Sequence, residues 1–490
     1  MNALPSGYAA LFQALRPETH LVVGALLVLF FDIVWARHRP DSRHQVALTL
    51  GAIALLMAGV EAATSGALGR IYGGVFVIDT LAVATRTGVI GLAVLSLALL
   101  PAATRERHPA EFTAILLLGT AGFTLMAAAN TLLVAFLALE LASLSLYILA
   151  GFNKSDPASA EAALKYYLFG AMSAAFLLFG FSLLYGLTGS IHLDVIARHL
   201  AVQGQPPLLI VALVMILVAF GFKAAAAPFH LWAPDVYQGA PAPAAALIAS
   251  ASKLAGLVLF TRLLWPGLGN AAGTIAHLPV TVGWTPVVAL LALGSLLLGN
   301  IGALAQMNVR RLLAYSAIAH AGVLLLGVIA AGRVGPGALF YYAATYGLAT
   351  VGAFGVVAVL ESSGRVQALT DLAGLRQRSP FLAGCLAIFI LSLAGIPPLA
   401  GFFGKFAVFA SLLRLGGVQG PAGWLTLLAI ALSAVALYYY LLILKQALVA
   451  PAAGAPARVR PPLPARLSLS IAAALLILLG LLPSPLLSLF

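Results

Sequence analysis

The sequence predicts an all-α membrane protein that crosses the bilayer about fourteen times. Of the 490 residues, 62% are hydrophobic and only 8% are charged. Soluble domains carry about 25% charged residues, so this composition excludes a soluble globule. Apolar runs long enough to cross a roughly 30 Å hydrocarbon core as helices recur from Leu21 to the C-terminus. The connections between the runs are too short to bury a separate soluble core.

Each apolar run predicts one helix. The runs lie at 21–36, 46–63, 79–101, 112–128, 131–152, 162–187, 207–227, 242–264, 284–305, 312–331, 337–360, 382–415, 422–448 and 467–489. The run at 382–415 is interrupted, and it counts as one crossing.

Two of these segments contain prolines near their middles. They read "AFGFKAAAAPFHLWAPDVYQGAPAP" at 219–243 and "LAGIPPLAGFFGKF" at 393–406. The prolines expected to break the helices are Pro228, Pro234, Pro397 and Pro398. Proline removes a backbone donor and clashes with the preceding turn, so both helices should be broken at membrane depth. Backbone groups freed in this way need a protein-lined or water-lined cavity.

The positions of the two breaks suggest an internal repeat of five helices, with the broken helix fourth in each copy. The predicted units are an N-terminal three-helix segment at 1–111, a first repeat at 112–265, a second repeat at 283–449 and a C-terminal helix at 467–490. The broken helices lie near 207–240 and 382–415. Two unrelated proline kinks are the alternative, since proline is common in membrane helices.

Arginine is concentrated in the connections on one side of the predicted bundle. Connections after odd-numbered helices hold Arg37, Arg39, Arg43, Arg105, Arg107, Arg310, Arg311, Arg365, Arg376, Arg378, Arg458, Arg460 and Arg466, together with Lys154. The other side holds only Arg16, Arg70, Arg198, Arg333 and Arg414. Because basic connections stay in the cytoplasm, both termini are predicted to face away from it. The net charge of +12 therefore reflects membrane orientation rather than nucleic-acid binding.

Lysine shows the opposite distribution. Only six lysines accompany twenty arginines, and all but Lys154 lie in or at the ends of apolar runs. Arginine keeps its proton, whereas desolvation can lower the pKa of a lysine by several units. A row of buried lysines is therefore what a proton relay would require.

Four charges lie well inside the predicted helices: Glu140, Lys223, Lys253 and Lys405. A charge at the bilayer centre costs about 2.5 kcal/mol or more, so each should face a partner or a wet cavity. Lys223 is the preferred partner of Glu140. These four are the predicted proton-transfer groups, and the alternative is that they only fix helix packing.

Other polar residues allow two interpretations. Lys165 could join the relay or reach the membrane interface beside Glu161. His230, in the first break, and His320, at mid-membrane, could bridge the lysines or simply bond backbone carbonyls. Two further groups of residues have expected structural positions. Asp79, Glu61 and Arg86 are expected at the interface, and Tyr438, Tyr439 and Tyr440 are expected to pack.

Motifs for bound redox groups are absent from the sequence. It has one cysteine, Cys385, no glycine-rich nucleotide loop after a strand and no paired histidines with metal or haem spacing. We therefore expect this chain to carry no cofactor and no metal.

Four stretches resemble a known family. "FKAAAAPFHLWAPDVYQGAPAP", "ASASKLAG", "MNVRRLLAYSAIAHAG" and "GIPPLAGFFGKF" are similar to the antiporter-like membrane subunits of respiratory complex I, and most similar to its subunit N branch. The resemblance runs from about residue 110 to 450. It implies fourteen helices, two inverted five-helix repeats with one broken helix each, and a central axis of Lys, His and Glu residues.

Matched by motif, the resemblance places seven residues on that axis: Glu140, Lys165, Lys223, His230, Lys253, His320 and Lys405. It implies proton translocation driven by quinone reduction elsewhere, with FMN, iron-sulfur clusters and quinone in partner subunits. The implied partners are other membrane and peripheral subunits, including neighbouring antiporter-like subunits, and membrane lipids. The implied location is the bacterial inner membrane, with both termini periplasmic.

Related complexes are the alternatives. Multisubunit sodium/proton antiporters and membrane-bound hydrogenase-type complexes share the fold and the proline-rich core. Lysine at 405 favours the subunit N branch over a sister subunit, and the stretch "YQGAPAP" resembles that branch more than the antiporter complexes.

Overall fold

Helices form almost all of the regular structure. A computed structural model describes residues 7–102, 108–364, 366–451 and 458–490. Within these residues, thirteen helices are long and apolar enough to cross a membrane. Two shorter helices at 380–416, separated by a break, together form one further crossing and bring the number to fourteen. The predicted fold class, an all-α polytopic membrane protein, is confirmed. Arg105, Arg107 and Arg365, used above to predict orientation, lie outside the described residues.

The N-terminal segment contains four helices and a two-stranded hairpin. They are α1 (Tyr8–Ala14), α2 (Arg16–Val34), α3 (Pro40–Thr64), β1 (Gly69–Ile71), β2 (Phe76–Ile78) and α4 (Thr80–Leu97). The strands are antiparallel, with Arg70 opposite Val77. Asp79 caps α4 by accepting a hydrogen bond from the backbone of Ala82. The short elements α1, β1 and β2 were not predicted.

The first half of the bundle contains the first broken helix. Its helices are α5 (Pro109–Ala128), α6 (Leu132–Ala150), α7 (Pro157–Thr188), α8 (Leu193–Gln203), α9 (Pro207–Ala224), α10 (Trp232–Gly239), α11 (Ala242–Ala249) and α12 (Ala251–Arg262). Several helices begin with proline, which is tolerated in the first turn because the N–H there has no helical partner.

The second half follows the same plan. Its helices are α13 (Trp284–Leu304), α14 (Val309–Val334), α15 (Gly337–Ser363), α16 (Leu375–Arg378), α17 (Pro380–Ala394), α18 (Ala400–Gly416) and α19 (Pro421–Leu444). The chain ends with α20 (Leu463–Leu481) and α21 (Ser484–Leu487).

The two halves share local features at matching places. The start of α6 bonds the connection after α7 through Leu132 N–H and Ile191 C=O, and the start of α14 bonds the connection after α15 through Val309 and Gln367. One π-helical turn follows α12 and another follows α19, at 263–267 and 445–449. These features support an internal repeat, while the bounds of the four units stay a prediction.

Three helical spans form the interior of the bundle, and two of them carry a predicted relay residue. The spans 242–267, 309–334 and 337–363 have 94% or more of their most apolar 18 residues buried. In contrast, only about a third of the corresponding window in 157–188 is buried. Lys253 and His320 therefore lie on helices that other helices enclose rather than lipid.

Candidate functional site

The first helix break frees backbone groups that polar side chains then satisfy. The chain leaves α9 through Ala225, whose φ of 56° ends the helix. The backbone N–H of Ala227 donates to Ser295 Oγ of α13 at 2.8 Å, and Trp232 Nε1 donates to Phe222 O at 3.2 Å. The unpaired groups expected at a break in a membrane helix are thus matched inside the protein.

Lys223 lies in the last turn of α9, directly before this break, and is buried. A cation is favoured there because carbonyl oxygens at a helix C-terminus carry partial negative charge. Its Nζ donates to Ser143 Oγ on α6 at 3.3 Å. The side chain passes Gly256 of α12, where an added Cβ would lie 3.0 Å from Lys223 Cγ.

Glu140 lies on the same helix as Ser143, three residues earlier. Its charge and that of Lys223 act on each other. However, these two described residues form no ion pair within 4 Å, and Glu140 Oε1 has no hydrogen-bond partner among the residues described. The direct pairing suggested by the sequence is not formed, and the ammonium group of Lys223 bonds Ser143 instead.

Lys253, on α12, is buried among residues of the second half. Its Nζ donates to Ala317 O of α14 at 2.8 Å and lies 5.2 Å above the ring of Tyr346. Lys223 and Lys253 line one small cleft together with Gly256. Of the two, Lys253 links the first half of the bundle to the second.

His320 is buried on α14 between two tyrosines. Its Nδ1 lies 2.5 Å from the hydroxyl of Tyr342 on α15, and its Nε2 lies 2.9 Å from the hydroxyl of Tyr440 on α19. The hydroxyl of Tyr440 also bonds Ser316 Oγ, one turn before His320. The ring of Tyr346 packs 4.9 Å from the imidazole.

The second break carries Lys405 on its far side. The chain leaves α17 through Gly395, whose φ of 84° suits glycine. Lys405, on α18, folds back so that its Nζ donates to Leu393 O at 3.0 Å and Ala394 O at 3.1 Å. Lys405 follows its break whereas Lys223 precedes its own, yet both charges lie at the C-terminal end of the first half-helix.

The two remaining predicted residues form no hydrogen bond with Lys223, Lys253 or Lys405 among the residues described. His230 is buried in the first break, where its ring interacts with the backbone of Pro228. Lys165 Nζ contacts Glu161 at 2.6 Å and Asp235 of α10 at 2.5 Å. The structure therefore anchors Lys165 by ion pairs at the start of α7.

Asp235 was not singled out from the sequence, although it stands between the prolines of the quoted stretch. Its second oxygen accepts from Arg311 Nη1 at 2.6 Å. The neighbouring Arg310 donates to Gln238 O and to Ala240 O at 3.0 and 2.6 Å. Asp235 and the two arginines thus join α7, α10 and α14.

Arg86, expected at the membrane interface, is enclosed by protein. Arg86 is fully buried on α4, 3.0 Å from the carboxylate of Glu18, and donates to Ala14 O at 3.1 Å. Helix α1, which the sequence did not predict, covers it. Tyr440, which was expected only to pack, also forms hydrogen bonds with Ser316 and His320.

Comparisons with known proteins agree on one family. The family described as NADH:quinone oxidoreductase/Mrp antiporter, TM, matches residues 129–435. NADH-quinone oxidoreductase subunit N 2 of Acidobacterium capsulatum is 46% identical over 98% of both chains. Subunit N 1 of Roseiflexus castenholzii is 41% identical over 88% of this chain and 82% of its own.

Solved structures show the same fold. A chain of respiratory complex I from Thermus thermophilus is 33% identical, with a TM-score of 0.79 over 96% of this chain and 98% of that one. A chain of the Mrp complex from Dietzia sp. DQ12-45-1b has a TM-score of 0.82 at 21% identity, covering 98% and 96%. Because the family match covers more than half of the sequence and close relatives cover almost all of it, this chain belongs to the NADH:quinone oxidoreductase/Mrp antiporter transmembrane family.

Proposed function

We propose that this chain is a proton-translocating subunit N of an NADH-quinone oxidoreductase. The observation that carries the proposal is the line of buried lysines, Lys223, Lys253 and Lys405, each bonded to a neutral oxygen. A lysine held in this way can release its proton, which arginine cannot. The 46% identity to a relative with that name supports the assignment.

Glu140 acts as the switch in the proposed mechanism. At rest its negative charge favours the ammonium form of Lys223. When a change arriving from a neighbouring subunit draws Glu140 away or neutralises it, the buried ammonium loses this support and passes its proton on. Ser143 accepts a hydrogen bond from Lys223. This bond holds the ammonium group in place both when Glu140 is close and charged and when it is drawn away or neutralised.

The proton then moves across the bundle in the proposed route. It passes by way of water and His230 to Lys253, then through His320 to Lys405 at the second break. The backbone between α9 and α10 supplies the freedom for Lys223 to move. Lys165 supports the route by fixing α7 against α10 through Asp235.

The surrounding assembly supplies the energy. FMN, iron-sulfur clusters and quinone belong to partner subunits in this proposal, and the chain itself holds no cofactor or metal. Its partners are the other membrane and peripheral subunits, with lipid on the remaining faces. It resides in a bacterial inner membrane with both termini on the periplasmic side.

The test is the exchange Lys223→Arg in the intact complex. Arginine keeps the charge, so the complex should assemble, but proton pumping in vesicles should be lost while quinone reduction is measured in parallel. Lys154→Arg, the same exchange at an exposed lysine in a connection, is the matched control. Near-normal pumping by Lys223→Arg would contradict the mechanism.

Two other functions give different outcomes. The fold shared with the Mrp complex favours a sodium/proton antiporter subunit as the second candidate. In that case sodium transport should persist without quinone reduction, and neighbouring genes should encode antiporter subunits. If the buried charges only fix packing, Lys223→Ala should reduce assembly and leave pumping per assembled complex unchanged.

A further inference from the structure

Four side chains in the second half form an unbroken chain of hydrogen bonds. In order they are Ser316, Tyr440, His320 and Tyr342, and all four are at most 4% exposed. They come from three helices, α14, α15 and α19, that are distant in sequence. Of these four residues, the sequence predicts only His320 as a relay residue.

Each member of this chain can both donate and accept a hydrogen bond. A hydroxyl has one proton and two lone pairs, and a neutral imidazole donates from one nitrogen and accepts at the other. The bonds can therefore all point from Ser316 toward Tyr342, or all in reverse. A chain with two such arrangements can pass a proton from one end to the other.

The neighbouring tyrosines lack this property. Tyr341 donates to the backbone oxygen of Leu479 at 2.8 Å, and Tyr439, whose hydroxyl also interacts with that of Tyr440, donates to Asn300 Oδ1 at 3.1 Å. Both acceptors are amide oxygens, which carry no proton to hand on. Tyr341 and Tyr439 are as deeply buried as Tyr342 and Tyr440, so burial does not explain the difference.

Each end of the chain lies one residue along a helix from a contact that involves a relay lysine or its neighbour. Lys253 donates to the carbonyl of Ala317, the residue after Ser316. At the other end, Tyr342 packs against Gly404, the residue before Lys405, where an added Cβ would lie 2.6 Å from the tyrosine ring. The charges of both lysines act on His320.

We propose that Ser316, Tyr440 and Tyr342 relay protons through His320 from Lys253 to Lys405. This inference rests on the proposed function and adds three residues to its route. After a swing of its side chain, the Lys253 ammonium gives its proton to the oxygen of Ser316. The Ser316 proton moves to Tyr440, and the Tyr440 proton moves to His320 Nε2.

The transfer is completed on the far side of the imidazole. The proton on His320 Nδ1 moves to the oxygen of Tyr342, and the Tyr342 proton joins the uncharged amine of Lys405. One N–H bond is broken at Lys253 and one is formed at Lys405, with every intermediate group left neutral. Rotation of the three hydroxyls and a change of tautomer at His320 then restore the first arrangement.

Two matched pairs of tyrosine exchanges test the relay in intact complexes reconstituted into vesicles. Tyr342→Phe and Tyr440→Phe each remove a relaying hydroxyl, while Tyr341→Phe and Tyr439→Phe remove neighbouring hydroxyls that donate to amide oxygens. Tyr341 is the stricter control because the Tyr439 hydroxyl also interacts with Tyr440. Loss of a positioned proton-transfer group slows transfer by about 100-fold or more. We expect both relay variants to pump, per quinone reduced, no better than Lys223→Arg, and both controls to pump like the unaltered complex.

Ser316 gives a second test that does not depend on aromatic packing. Ser316→Thr keeps a hydroxyl and should retain pumping, whereas Ser316→Ala should lose it. If the phenylalanine variants fail to assemble, this pair decides, and normal pumping by Ser316→Ala overturns the relay. Pumping by the relay variants at the level of their controls also overturns it.

The same data separate the relay from the proposed function. If Lys223→Arg abolishes pumping while Tyr342→Phe and Tyr440→Phe do not, the relay is wrong and the function stands. If Lys223→Arg itself pumps normally, the proposed function fails.

Discussion

The three buried lysines share one kind of environment. Lys223, Lys253 and Lys405 each donate to a hydroxyl or backbone oxygen, and none has a carboxylate within 4 Å among the residues described. Lys165 differs because it contacts two carboxylates. A neutral acceptor holds an ammonium in place without opposing the loss of its proton as strongly as a carboxylate does. The contact partner therefore separates lysines suited to transfer from those that anchor helices.

Lys405 offers a test at the residue scale. Lys405→Arg retains a donor for the two carbonyls at the end of α17, so the complex should assemble but lose pumping. Lys405→Met removes the donor, and the unpaired buried carbonyls should reduce stability by about 1–3 kcal/mol. Thermal unfolding and vesicle pumping of both variants check this. Equal pumping by Lys405→Arg and the unaltered complex would contradict a transfer role.

Gly256 is expected to control the position of Lys223. In Gly256→Ala the new methyl group would lie 3.0 Å from Lys223 Cγ, so the lysine must shift by a few tenths of an ångström. We expect assembled complexes with a lower pumping rate. Gly91→Ala is the control because nothing lies within 4 Å of its added Cβ. The interpretation fails if both variants behave alike in the vesicle assay.

At the scale of elements, Asp235 is the junction between the halves. Its two oxygens bind Lys165 of α7 and Arg311 of α14. Ser295 and Arg310 make two further links from the second half to the first break and the segment after it. The broken helix is therefore held from outside its own half, which allows it to be interrupted without becoming loose.

Asp235→Asn should weaken this junction. The three side chains are between 26% and 37% exposed, so solvent reduces the effect, and we expect a loss of about 1–2 kcal/mol. Glu161→Gln removes the more exposed partner of Lys165 and should cost about 0.5 kcal/mol or less. Thermal unfolding of the two variants in detergent measures the difference. Equal losses would show that Asp235 is not the junction.

The hairpin of β1 and β2 is held to α8 by one ion pair, Arg70 to Asp194 at 2.8 Å. Burial opposes ionisation of Asp194, but the hydrogen bond and charge of Arg70 outweigh it and lower its pKa. A lowered carboxyl pKa means that the stabilisation is present above the ordinary value, about 3.9, and is lost as pH falls through the lowered one.

This sign gives a prediction for hydrogen exchange. At pH 7 the amides of β1 should exchange faster in Arg70→Ala than in the unaltered protein, because the ion pair is missing. As pH falls through the lowered pKa of Asp194 the ion pair is lost in the unaltered protein too, so the difference should shrink and then disappear. Comparison of the two proteins at the same pH removes the intrinsic effect of pH on exchange. A difference that persists at low pH would contradict the role of Asp194.

Helices and their breaks could be predicted from the sequence where amino-acid composition alone determines them. Apolar length predicted the spans, and proline predicted the interruptions after Lys223 and before Lys405. Helix α1 escaped prediction because it is short and lies outside the apolar runs, and the burial of Arg86 escaped with it. The hydroxyls of Tyr342 and Tyr440 were also missed, since a sequence does not reveal which side chains from distant helices meet at His320.

The whole molecule consists of enclosed central helices surrounded by more exposed ones. The enclosed spans carry Lys253, His320, Tyr342 and Tyr346, so this part of the polar line runs where lipid cannot reach it, while Tyr440 reaches it from a more exposed span. The orientation of the whole chain in the membrane remains a prediction. Two exposed positions in the connections can test it.

Val202 and Met307 lie in connections on opposite predicted sides, and they are 89% and 68% exposed. Val202→Cys should react with a membrane-impermeant maleimide in intact cells, because it follows an even-numbered crossing. Met307→Cys should react only in inside-out vesicles. The one native cysteine, Cys385, is buried and gives a low background. The reverse pattern would overturn the predicted orientation.

The contact between Ala227 and Ser295 also bears on biogenesis. The ribosome delivers the chain from its N-terminus, so α9 and α10 enter the membrane before α13 and α14 have been made. Until then the Ala227 N–H lacks its Ser295 acceptor, and the carbonyls of Gln238 and Ala240 lack Arg310. In a nascent first half, the backbone groups at the break therefore lack their protein partners. They must remain in contact with water or the insertion machinery. The second half completes the first, and a fragment ending before α13 would lack the groups that close it.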